Sequence, residues 1–400
     1  MKIVQINTSC GRGSTGKICL DISQILTREN IENYILYSNQ SNGYELGIKC
    51  SDDIYIKAQA LKSRVLGNYG FNSNRATKKI IIELERIQPD IVHIHNIHGH
   101  DCNLEMLFGY FKKKKIKLVW TFHDCWVFTG YCTYFDMVKC NKWREECYNC
   151  PQKSSFSWLF DNSKELFNRK KRLFEGLDLT IVTPSQWLAD LVKQSFLSSY
   201  SIEVINNGIN LDIFKPTEGD FKIKQGFTNK KIILGVASVW EKRKGLDVFV
   251  ELSQRLSDEY RIVLVGADSS QGIIPGNITC VKRTQNQQEL AEIYSMADVF
   301  VNPTREENYP TVNMEALACG TPVLTFRTGG SPEMLDETCG AVVECDDIDA
   351  LEKKIIYMCN EDMLSAKKCI EKSKGFDKNK SFKEYIELYE RVILAGNPKN

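Results

Sequence analysis

The chain has 400 residues, which is too long for one ordinary hydrophobic core and predicts two domains. Its 52 Lys and Arg nearly balance 51 Asp and Glu, so the net charge gives no reason to expect a nucleic acid as partner. No apolar run approaches the roughly 20 residues that span a bilayer, and the opening MKIVQINTSC predicts a buried strand, not a secretory signal. We therefore expect a cytoplasmic protein, with at most peripheral contact at the cytoplasmic membrane.

The first half of the chain alternates short apolar strands with amphipathic helices, the pattern of parallel βαβ units. The predicted strands are KIVQIN (2–7), IENYILYS (31–38), DIVHIHN (90–96), KLVWTFH (117–123), LTIVTPS (179–185) and IEVINNG (202–208). The turn-rich segment INNGINLDIFKPTEGD then predicts a linker over 206–218. A first domain over 1–205 follows from that position.

The strand–helix pattern restarts after the linker and predicts a second domain over 219–375. Its five predicted strands are KIILGVASV (231–239), RIVLVGA (261–267), NITCVKR (277–283), DVFVNPT (298–304) and TPVLTF (321–326). The segment SFKEYIELYERVILAG (381–396) predicts an amphipathic helix. Ligands of open α/β sheets bind at the carboxyl ends of the strands, so site residues should directly follow strands.

A strand, a loop and a helix are predicted around Glu307 and Glu315. The helix is predicted to begin near Thr311, and its first turn offers backbone amides and a partial positive charge to a diphosphate. Glu315, about one turn into the helix, can accept hydrogen bonds from the hydroxyls of a ribose. The alternative is that a glutamate simply favours the first half of a helix.

The string TREENYPTVNMEALACGTPVLTFRTGGSPEML resembles the donor-site signature of retaining family 4 glycosyltransferases. The resemblance implies an α/β GT-B fold, in which two Rossmann-like domains face each other across a cleft and a C-terminal helix within 376–400 crosses back to the first domain. It assigns the donor sugar to Glu307 and the ribose to Glu315. It also implies that backbone amides of four residues contact the sugar and the phosphate: Asn308, Tyr309, Pro310 and Thr311. The family usually has Gly-Phe-Gly after the first glutamate, where this chain has Asn-Tyr-Pro.

The basic turn EKRKG follows the first strand of the second domain, where a departing diphosphate needs neutralising. By the same resemblance Lys244 matches a family lysine, and Arg243 replaces a family arginine whose usual position holds Ser238. A solvated basic turn is the alternative. Backbone groups over 281–283, with Arg283, are expected to hold the base of the nucleotide.

The first domain contributes a glycine-rich turn and a histidine to the predicted site. Gly13 and Gly16 follow the first strand, and the resemblance puts their turn beneath the donor phosphate and the acceptor. The turn is not a complete phosphate-binding loop of the kinase type, because Ile18 stands where Ser or Thr is required. His123 matches a family histidine near the reacting sugar, and the alternative is a structural histidine satisfied by Asp124.

All five histidines lie between residues 93 and 123. His93 and His95 share one face of a predicted strand, so a metal bound there is an alternative. The resemblance implies a reaction that needs no catalytic metal.

Five cysteines fall within 125–150 and need a separate interpretation. Four of them could close a tetrahedral structural zinc site, and the last two form a Cys-x-x-Cys knuckle: Cys132, Cys140, Cys147 and Cys150. Packed free thiols or an adventitious disulfide are the alternatives. The stretch 125–153 is predicted to be an insertion in the first domain.

The resemblance implies a hexosyltransferase that uses a UDP- or GDP-sugar and a glycan or polyprenyl-diphosphate-linked acceptor. The stretch HDCWVFTG…CPQK is similar to transferases of bacterial capsule, exopolysaccharide and O-antigen synthesis. The lysine run 112–115 fits either an anionic membrane surface or a solvated helix end. The rivals are an epimerase or phosphorylase of the same fold, and a non-catalytic sugar-binding or scaffolding homologue in a polysaccharide assembly complex.

Overall fold

The computed structural model describes residues 1–268, 274–360 and 365–395. The chain divides into two compact units. Unit 1 contains Met1–Asn206 together with the helical residues from Ser381, and unit 2 contains Asn207–Lys380. The first crossing, between Asn206 and Asn207, lies inside the segment predicted as a linker. The last five residues of the predicted segment 376–400 lie outside the described residues.

Unit 1 is built on a parallel sheet whose central strands are buried on both faces, as expected for βαβ units. Its described strands are β1 (Lys2–Asn7), β2 (Glu32–Tyr37), β3 (Gly47–Lys49), β4 (Ile91–Ile94), β5 (Lys117–Thr121), β6 (Leu179–Thr183) and β7 (Ser201–Val204). They lie in the order β3-β2-β1-β4-β5-β6-β7. The order reverses between β1 and β4, so the loops after these two strands diverge at that point.

Helices with one buried face cover the sheet of unit 1. They are α1 (Gly13–Arg28), α2 (Asp53–Leu66), α3 (Asn74–Ile87), α4 (Leu104–Lys114), α5 (Lys153–Phe156), α6 (Ser163–Phe174) and α7 (Gln186–Lys193). Several begin at a side-chain cap; for example, Asn103 accepts a hydrogen bond from the amide of Met106 at 3.2 Å. Such caps satisfy amides that the helix itself leaves without an acceptor.

Unit 2 repeats the architecture with a second parallel sheet. Its described strands are β8 (Lys231–Val236), β9 (Tyr260–Val265), β10 (Ile278–Val281), β11 (Val299–Asn302), β12 (Val323–Phe326) and β13 (Gly340–Val343), in the order β10-β9-β8-β11-β12-β13. Its described helices are α8 (Phe221–Lys224), α9 (Leu246–Arg255), α10 (Gln287–Ser295), α11 (Thr311–Ala318), α12 (Ile348–Asn360) and α13 (Ala366–Ser373). Here the order reverses between β8 and β11.

The predicted α/β class with two Rossmann-like sheets is confirmed. All eleven predicted strands are present among the described residues. Where a prediction ran into the following loop, the strand ends one to four residues earlier than predicted. Two short strands, β3 and β13, were missed. β3 has only three residues and no buried side chain, and β13 begins at a glycine, so neither carries a strong strand pattern.

The last described helix, α14 (Lys378–Ala395), joins the core of unit 1 over most of its length. Its buried aromatic side chains are Phe382, Tyr385 and Tyr389, which pack with Ile22 and Val182 of unit 1. The tyrosine hydroxyls also reach the sheet, because Tyr385 Oη lies 2.9 Å from Thr121 Oγ1 and Tyr389 Oη lies 2.6 Å from His93 Nδ1. The predicted helix over 381–396 therefore begins three residues earlier and completes the first unit.

Candidate active site

The predicted site residues of unit 2 follow the two strands between which the sheet order reverses. Lys244 lies in the turn after β8, and Glu307 lies in the loop after β11. Neighbouring strands whose helices leave towards opposite faces create a crevice at their carboxyl ends. The sheet topology alone therefore brings these two loops together.

An ion pair joins the two loops. Lys244 Nζ lies 2.5 Å from Glu307 Oε2, and the two side chains are 21% and 16% exposed. The second carboxylate oxygen of Glu307 accepts the amide N–H of Asn308 at 3.1 Å. Both oxygens of Glu307 are thus oriented, and the positive charge of Lys244 is held where partial exposure leaves it accessible to an anionic ligand.

A glycine makes the approach of the lysine turn possible. Lys244 ends a 3₁₀ turn, Lys242–Lys244, and Gly245 follows with φ of +76°, a left-handed conformation that favours glycine. A Cβ atom on Gly245 would lie 2.4 Å from the carbonyl oxygen of Pro303 in the loop after β11. The turn EKRKG therefore fits against that loop only with glycine at its fifth position.

Arg243 and Arg305 brace the same two loops. Arg243 Nη1 donates to the carbonyl of Glu306 at 3.0 Å, and the amide of Arg305 donates to the carbonyl of Arg243 at 2.8 Å. Arg305, which sequence reasoning did not single out, makes a bidentate contact of 2.9 Å with each carboxylate oxygen of Asp247 and binds Asp346 at 2.7 Å. The guanidinium of Arg243 has a clear bracing contact, and its predicted role at the leaving diphosphate stays a prediction.

The glycine pair of GGSPE supports the backbone of the glutamate loop. Gly329 has φ of +53°, and a Cβ atom there would lie 1.7 Å from the carbonyl oxygen of Glu307. The amide of Gly330 donates to the carbonyl of Asn308 at 2.7 Å. The clash explains why glycine is needed at Gly329, since a side chain there would push the Glu307–Asn308 backbone away.

Helix α11 opens directly beyond this loop. Pro310 precedes its first residue, Thr311, and no side chain caps it. The helical ladder supplies no acceptor for the amides of Thr311 and Val312, which gives this end of the helix its partial positive charge. One expectation is corrected: Pro310 has no N–H and cannot donate a backbone hydrogen bond to a sugar or phosphate. Thr311 is the first helical residue, not the cap.

Glu315 is held by a tyrosine that the sequence did not reveal. The hydroxyl of Tyr294, on α10, donates to Glu315 Oε2 at 3.0 Å. Tyr294 is fully buried, and burial together with the Glu315 carboxylate raises its pKa well above the ordinary value, so it remains a donor. The contact fixes the position of one carboxylate oxygen of Glu315. Because the carboxylate is planar, it also limits the orientation of the second oxygen.

Arg283 lies on an exposed loop between β10 and α10. That loop is shaped by its own cap: Asn286 accepts the amide of Glu289 at 2.9 Å, and Glu289 accepts the amide of Gln285 at 2.5 Å. This reciprocal arrangement resembles a capping box. The predicted contact of Arg283 and its neighbours with a nucleotide base stays a prediction.

In unit 1 the glycine-rich turn after β1 is compact. The amide of Gly11 donates to the carbonyl of Gly16 at 2.9 Å, and a Cβ atom on Gly16 would lie 2.9 Å from Ser9 Oγ. Gly13, which begins α1, has φ of +67° and space around its Cα. Gly16 is therefore required for packing, whereas Gly13 is required for its backbone conformation.

His123 lies two residues after the end of β5 and is linked to His95, the residue directly after β4. His123 Nε2 lies 3.0 Å from His95 Nδ1, and His95 Nε2 lies 3.1 Å from Gln5 Oε1. The amide nitrogen of Gln5 donates to the carbonyl of Cys19 at 3.0 Å, which directs its oxygen towards His95. His95 must then donate from Nε2 and accept at Nδ1, so His123 carries its proton on Nε2 and has an acceptor at Nδ1.

Both rings are neutral near pH 7. Burial is the main cause that lowers the pKa of His123 to about 4, and burial also lowers the pKa of His95 well below its ordinary value. His93 is fully buried, and its two nitrogens contact Tyr389 Oη and Thr121 Oγ1 at 2.6 and 2.8 Å. Protein groups thus engage the nitrogens of His93 and His95, which favours their structural interpretation over a metal.

Asp124 pairs with His98, which sequence reasoning missed. His98 Nε2 lies 2.9 Å from Asp124 Oδ2, and Asp124 Oδ1 accepts the amide of Trp126 at 2.9 Å. Burial opposes both charges, but their mutual attraction outweighs it, so the pKa of His98 is raised and that of Asp124 is lowered. Asp124 is thus hydrogen-bonded to His98 and also acts electrostatically on the neighbouring His123.

Two family descriptions match consecutive parts of the chain. Residues 16–213 match "Glycosyltransferase Family 4", and residues 230–361 match "Glycosyl transferases group 1". The chain belongs to glycosyltransferase family 4. It is accordingly a transferase, and this assignment favours a catalytic role over the non-catalytic alternative.

Relatives of this glycosyltransferase include polysaccharide and glycolipid enzymes. It is 23% identical over 365 residues to the putative colanic acid glycosyl transferase WcaC of Escherichia coli K12, covering 87% of this chain and 88% of WcaC. It is 24% identical over 273 residues to the sulfoquinovosyl transferase SQD2 of Arabidopsis thaliana, covering 65% and 47% of the two chains.

Solved structures show the GT-B fold of the transferase. Sucrose-phosphate synthase from Thermosynechococcus elongatus superposes with a TM-score of 0.71 at 15% identity, over 99% of this chain and all of that one. Anabaena HepE, solved with UDP-glucose, superposes with a TM-score of 0.70 at 12% identity, over 98% and 100%. At these identities the likeness concerns the fold alone.

The cysteines in the described part of the transferase form no disulfide, and the four predicted zinc ligands line one small cavity in unit 1. As placed, no group of three or more His, Cys, Asp or Glu among residues 1–268, 274–360 and 365–395 could hold a metal ion. Cys125, which was set apart from the zinc prediction, is fully buried beside His123.

No helix in the described part of the transferase is long and apolar enough to cross a membrane. The lysine run 112–115 ends α4, with Lys115 as its left-handed C-cap. Cations at this end of a helix interact favourably with its dipole, and Lys114 also pairs with Glu85 at 2.8 Å. These contacts explain the run as a helix end, and a membrane role for it stays a prediction.

Proposed function

We propose that this glycosyltransferase transfers a hexose, with retention of anomeric configuration, from a UDP- or GDP-sugar to a glycan or lipid-linked acceptor in bacterial surface polysaccharide synthesis. The observation that carries the donor part is the Lys244–Glu307 ion pair beside the opening of α11. A cation, a carboxylate with two oriented oxygens and a helix N-terminus are what a sugar diphosphate requires.

In this proposal the diphosphate binds at the start of α11 and competes with Glu307 for Lys244. Lys244 and the first amides of α11 are already in position where negative charge develops on the leaving group, so no reorganisation is needed at the moment of reaction. Glu307, released from part of its ion pair, accepts hydrogen bonds from hydroxyls of the hexose. Glu315, oriented by Tyr294, accepts hydrogen bonds from the ribose.

The proposed reaction needs no protein nucleophile and no catalytic metal. The bond between the anomeric carbon and the phosphate oxygen breaks, and its electron pair stays on the diphosphate. The acceptor oxygen bonds to the same face of the sugar, and its proton passes to the departing phosphate. His123 is assigned to the reacting sugar; its neutral ring, with an acceptor at Nδ1, suits a sugar hydroxyl better than it suits a phosphate.

Relatives and structural neighbours support the substrate classes. HepE was solved with UDP-glucose, and a Corynebacterium glutamicum relative is described as GDP-mannose-dependent. The similarity to WcaC supports a role in surface polysaccharide. Retention is supported by the likeness to trehalose-6-phosphate synthase, which was solved to study glycosyl transfer with retention (TM-score 0.63 at 12% identity).

A thermal-shift screen of the purified chain against UDP, GDP, ADP and their common sugar conjugates, without added metal, tests the donor class. We expect one nucleotide to stabilise the chain, since a ligand at 100 times its Kd adds about 2.7 kcal/mol. Glu315→Gln should reduce that shift, and Glu337→Gln, an exposed glutamate elsewhere in unit 2, should not. The proposal fails if none of the nucleotides or sugar nucleotides produces a shift.

A further inference from the structure

Four cysteines of unit 1 surround one small cavity. Cys132, Cys140, Cys147 and Cys150 all line it, together with Trp143 and Lys142. Its volume is about 20 Å³, enough for one water-sized body. The residues are separated by seven, six and two positions along the chain, so the fold gathers thiols that the sequence leaves apart.

We propose that these four thiols bind one Zn²⁺ as a structural site. Zinc in such sites is tetrahedral and takes four cysteine sulfurs, with a Cys-x-x-Cys knuckle as one arm. As placed, the four side chains do not form a group that could hold a metal. Binding therefore requires the four sulfurs to converge on the cavity that they line. One Zn²⁺ and four thiols give a tetrathiolate complex and release four protons.

Backbone amides already point at the sulfurs. The amide of Gly130 donates to Cys147 Sγ at 3.3 Å, and the backbone of Gln152 donates to the Cys150 thiol. Amide donors to sulfur stabilise the thiolate form that a cysteine must take as a metal ligand. The second contact joins the knuckle cysteine to the amide two positions along the chain, which holds the knuckle turn around its own sulfur.

Two lysines provide charge compensation for a tetrathiolate centre. Lys142 lines the cavity and donates from Nζ to the carbonyls of Tyr148 and Asn149, at 3.0 and 3.2 Å, which braces the knuckle. Lys170 is fully buried, donates to the carbonyl of Trp126 at 2.7 Å, and interacts electrostatically with Cys132 and Cys147. A buried ammonium is stabilised by nearby negative charge; Asp124 supplies some of it, and a zinc tetrathiolate would add two further negative charges.

The segment around the cavity has little structure of its own. Between the 3₁₀ turn Trp126–Phe128 and α5, the described backbone contains one further 3₁₀ turn, Lys142–Arg144. Its hydrophobic contacts centre on Trp143, which packs against Phe128 and Phe135. These side chains join the main core of unit 1, but a stretch with so little secondary structure gains stability from a metal cross-link.

The zinc site would also support the loop that carries His123. The amide of Cys125, two residues after His123, donates to the carbonyl of Thr133 at 2.8 Å, next to Cys132. Thr129 Oγ1 donates to the carbonyl of Cys132 at 2.6 Å. Loss of the metal would therefore loosen the chain on which the predicted catalytic histidine depends. The proposal does not rest on the identity of the sugar donor.

Metal analysis of the full chain tests the proposal. The protein is expressed in zinc-supplemented medium, purified without chelator and measured by plasma mass spectrometry. We expect about one zinc per chain. Cys147→Ser and Cys150→Ser should each lower zinc to below about a fifth of that, whereas Cys102→Ser, a buried cysteine of the same unit outside the cluster, should keep it. Zinc retained in the first two variants would overturn the assignment.

A second measurement on the unaltered chain is independent of whether the variants fold. The four cluster cysteines should resist alkylation by iodoacetamide and become reactive after a strong zinc chelator is added, as mapped by peptide mass spectrometry. Alkylation without the chelator, a disulfide among these cysteines, iron in place of zinc, or a chain that carries no metal after reconstitution with Zn²⁺ would each contradict the proposal.

Discussion

The candidate site residues of the two units differ in charge: those of unit 2 form an ion pair, and those of unit 1 are neutral. In unit 2, Lys244 and Glu307 are charged, paired at 2.5 Å and partly exposed, so an anionic ligand can compete for the lysine. In unit 1, His95 and His123 are held neutral by burial and are joined through uncharged hydrogen bonds. Charge is kept where a leaving group would need neutralising, and neutral polar groups are kept where a sugar would need only orientation.

The largest expected effect comes from breaking the charged pair. Glu307→Gln and Lys244→Met should each lower kcat by at least about 100-fold, the usual cost of removing a preorganised group that stabilises developing charge. The readout is sugar transfer with the donor found in the nucleotide screen. Lys242→Met, which removes an exposed charge from the same turn, is the matched control. If Lys244→Met lowered kcat no more than this control does, the proposed role of Lys244 at the leaving diphosphate would be wrong.

Acidification should lower the stability of unit 1, where buried histidines are held neutral. Burial lowers the pKa of His93 and His95 well below the ordinary value, and that of His100 and His123 to about 4. Between pH 6.5 and about 4 the unfolded chain binds protons that these folded histidines do not, so stability falls as pH falls. The raised pKa of His98 opposes this trend.

We expect the free energy of unfolding of unit 1 to drop by about 4 kcal/mol between pH 7.5 and 5.5, since each of the four depressed histidines costs about 1.4 kcal/mol over this range and His98 returns at most about the same amount. Urea titrations followed by tryptophan fluorescence measure it. Replacing His100, whose ring is only half-buried, with Gln should make the pH dependence shallower by about the contribution of one histidine. A stability that stays constant over this range would show that the rings are not buried in neutral form.

A smaller effect should follow from loosening the histidine pair. Gln5→Leu removes the acceptor that fixes His95, so His123 loses its preferred tautomer, and kcat should fall about 5-fold with little change in donor KM. Nitrogen NMR of labelled protein should show His123 protonated on Nε2 in the parent chain and a mixture in the variant. Gln59→Leu, in the same unit but on α2, is the control. A parent spectrum with His123 protonated on Nδ1 would contradict the hydrogen-bond chain.

The sequence predicted most of the strands but not the contacts between site residues. The apolar runs predicted eleven strands because parallel strands buried on both faces must be continuously hydrophobic. They missed β3 and β13, which are too short and too little buried to carry that signal. The glutamate string led to the family, and the match to both family descriptions confirmed it.

The contacts of the site residues could not be predicted in this way. Nothing in the sequence spacing joins Tyr294 to Glu315, Arg305 to Asp247, or Gln5 to His95, because each pair comes from different strands or helices. Adjacency offered Asp124 as an alternative partner for His123, and nothing in the sequence pointed to the hydrogen bond that the fold forms between Asp124 and His98. Adjacent residues of a strand end point in different directions, so adjacency is a poor guide to side-chain pairing.

The sequence by itself determined the fold class, the family and the positions after β8 and β11 at which a donor site should lie. These properties depend on local pattern and on a long motif, both of which are contained in consecutive residues. The tertiary structure decided which side chains are charged, which are neutral and which hold others in place. Those properties depend on burial and on distances between residues far apart in the chain, and only the folded arrangement sets them.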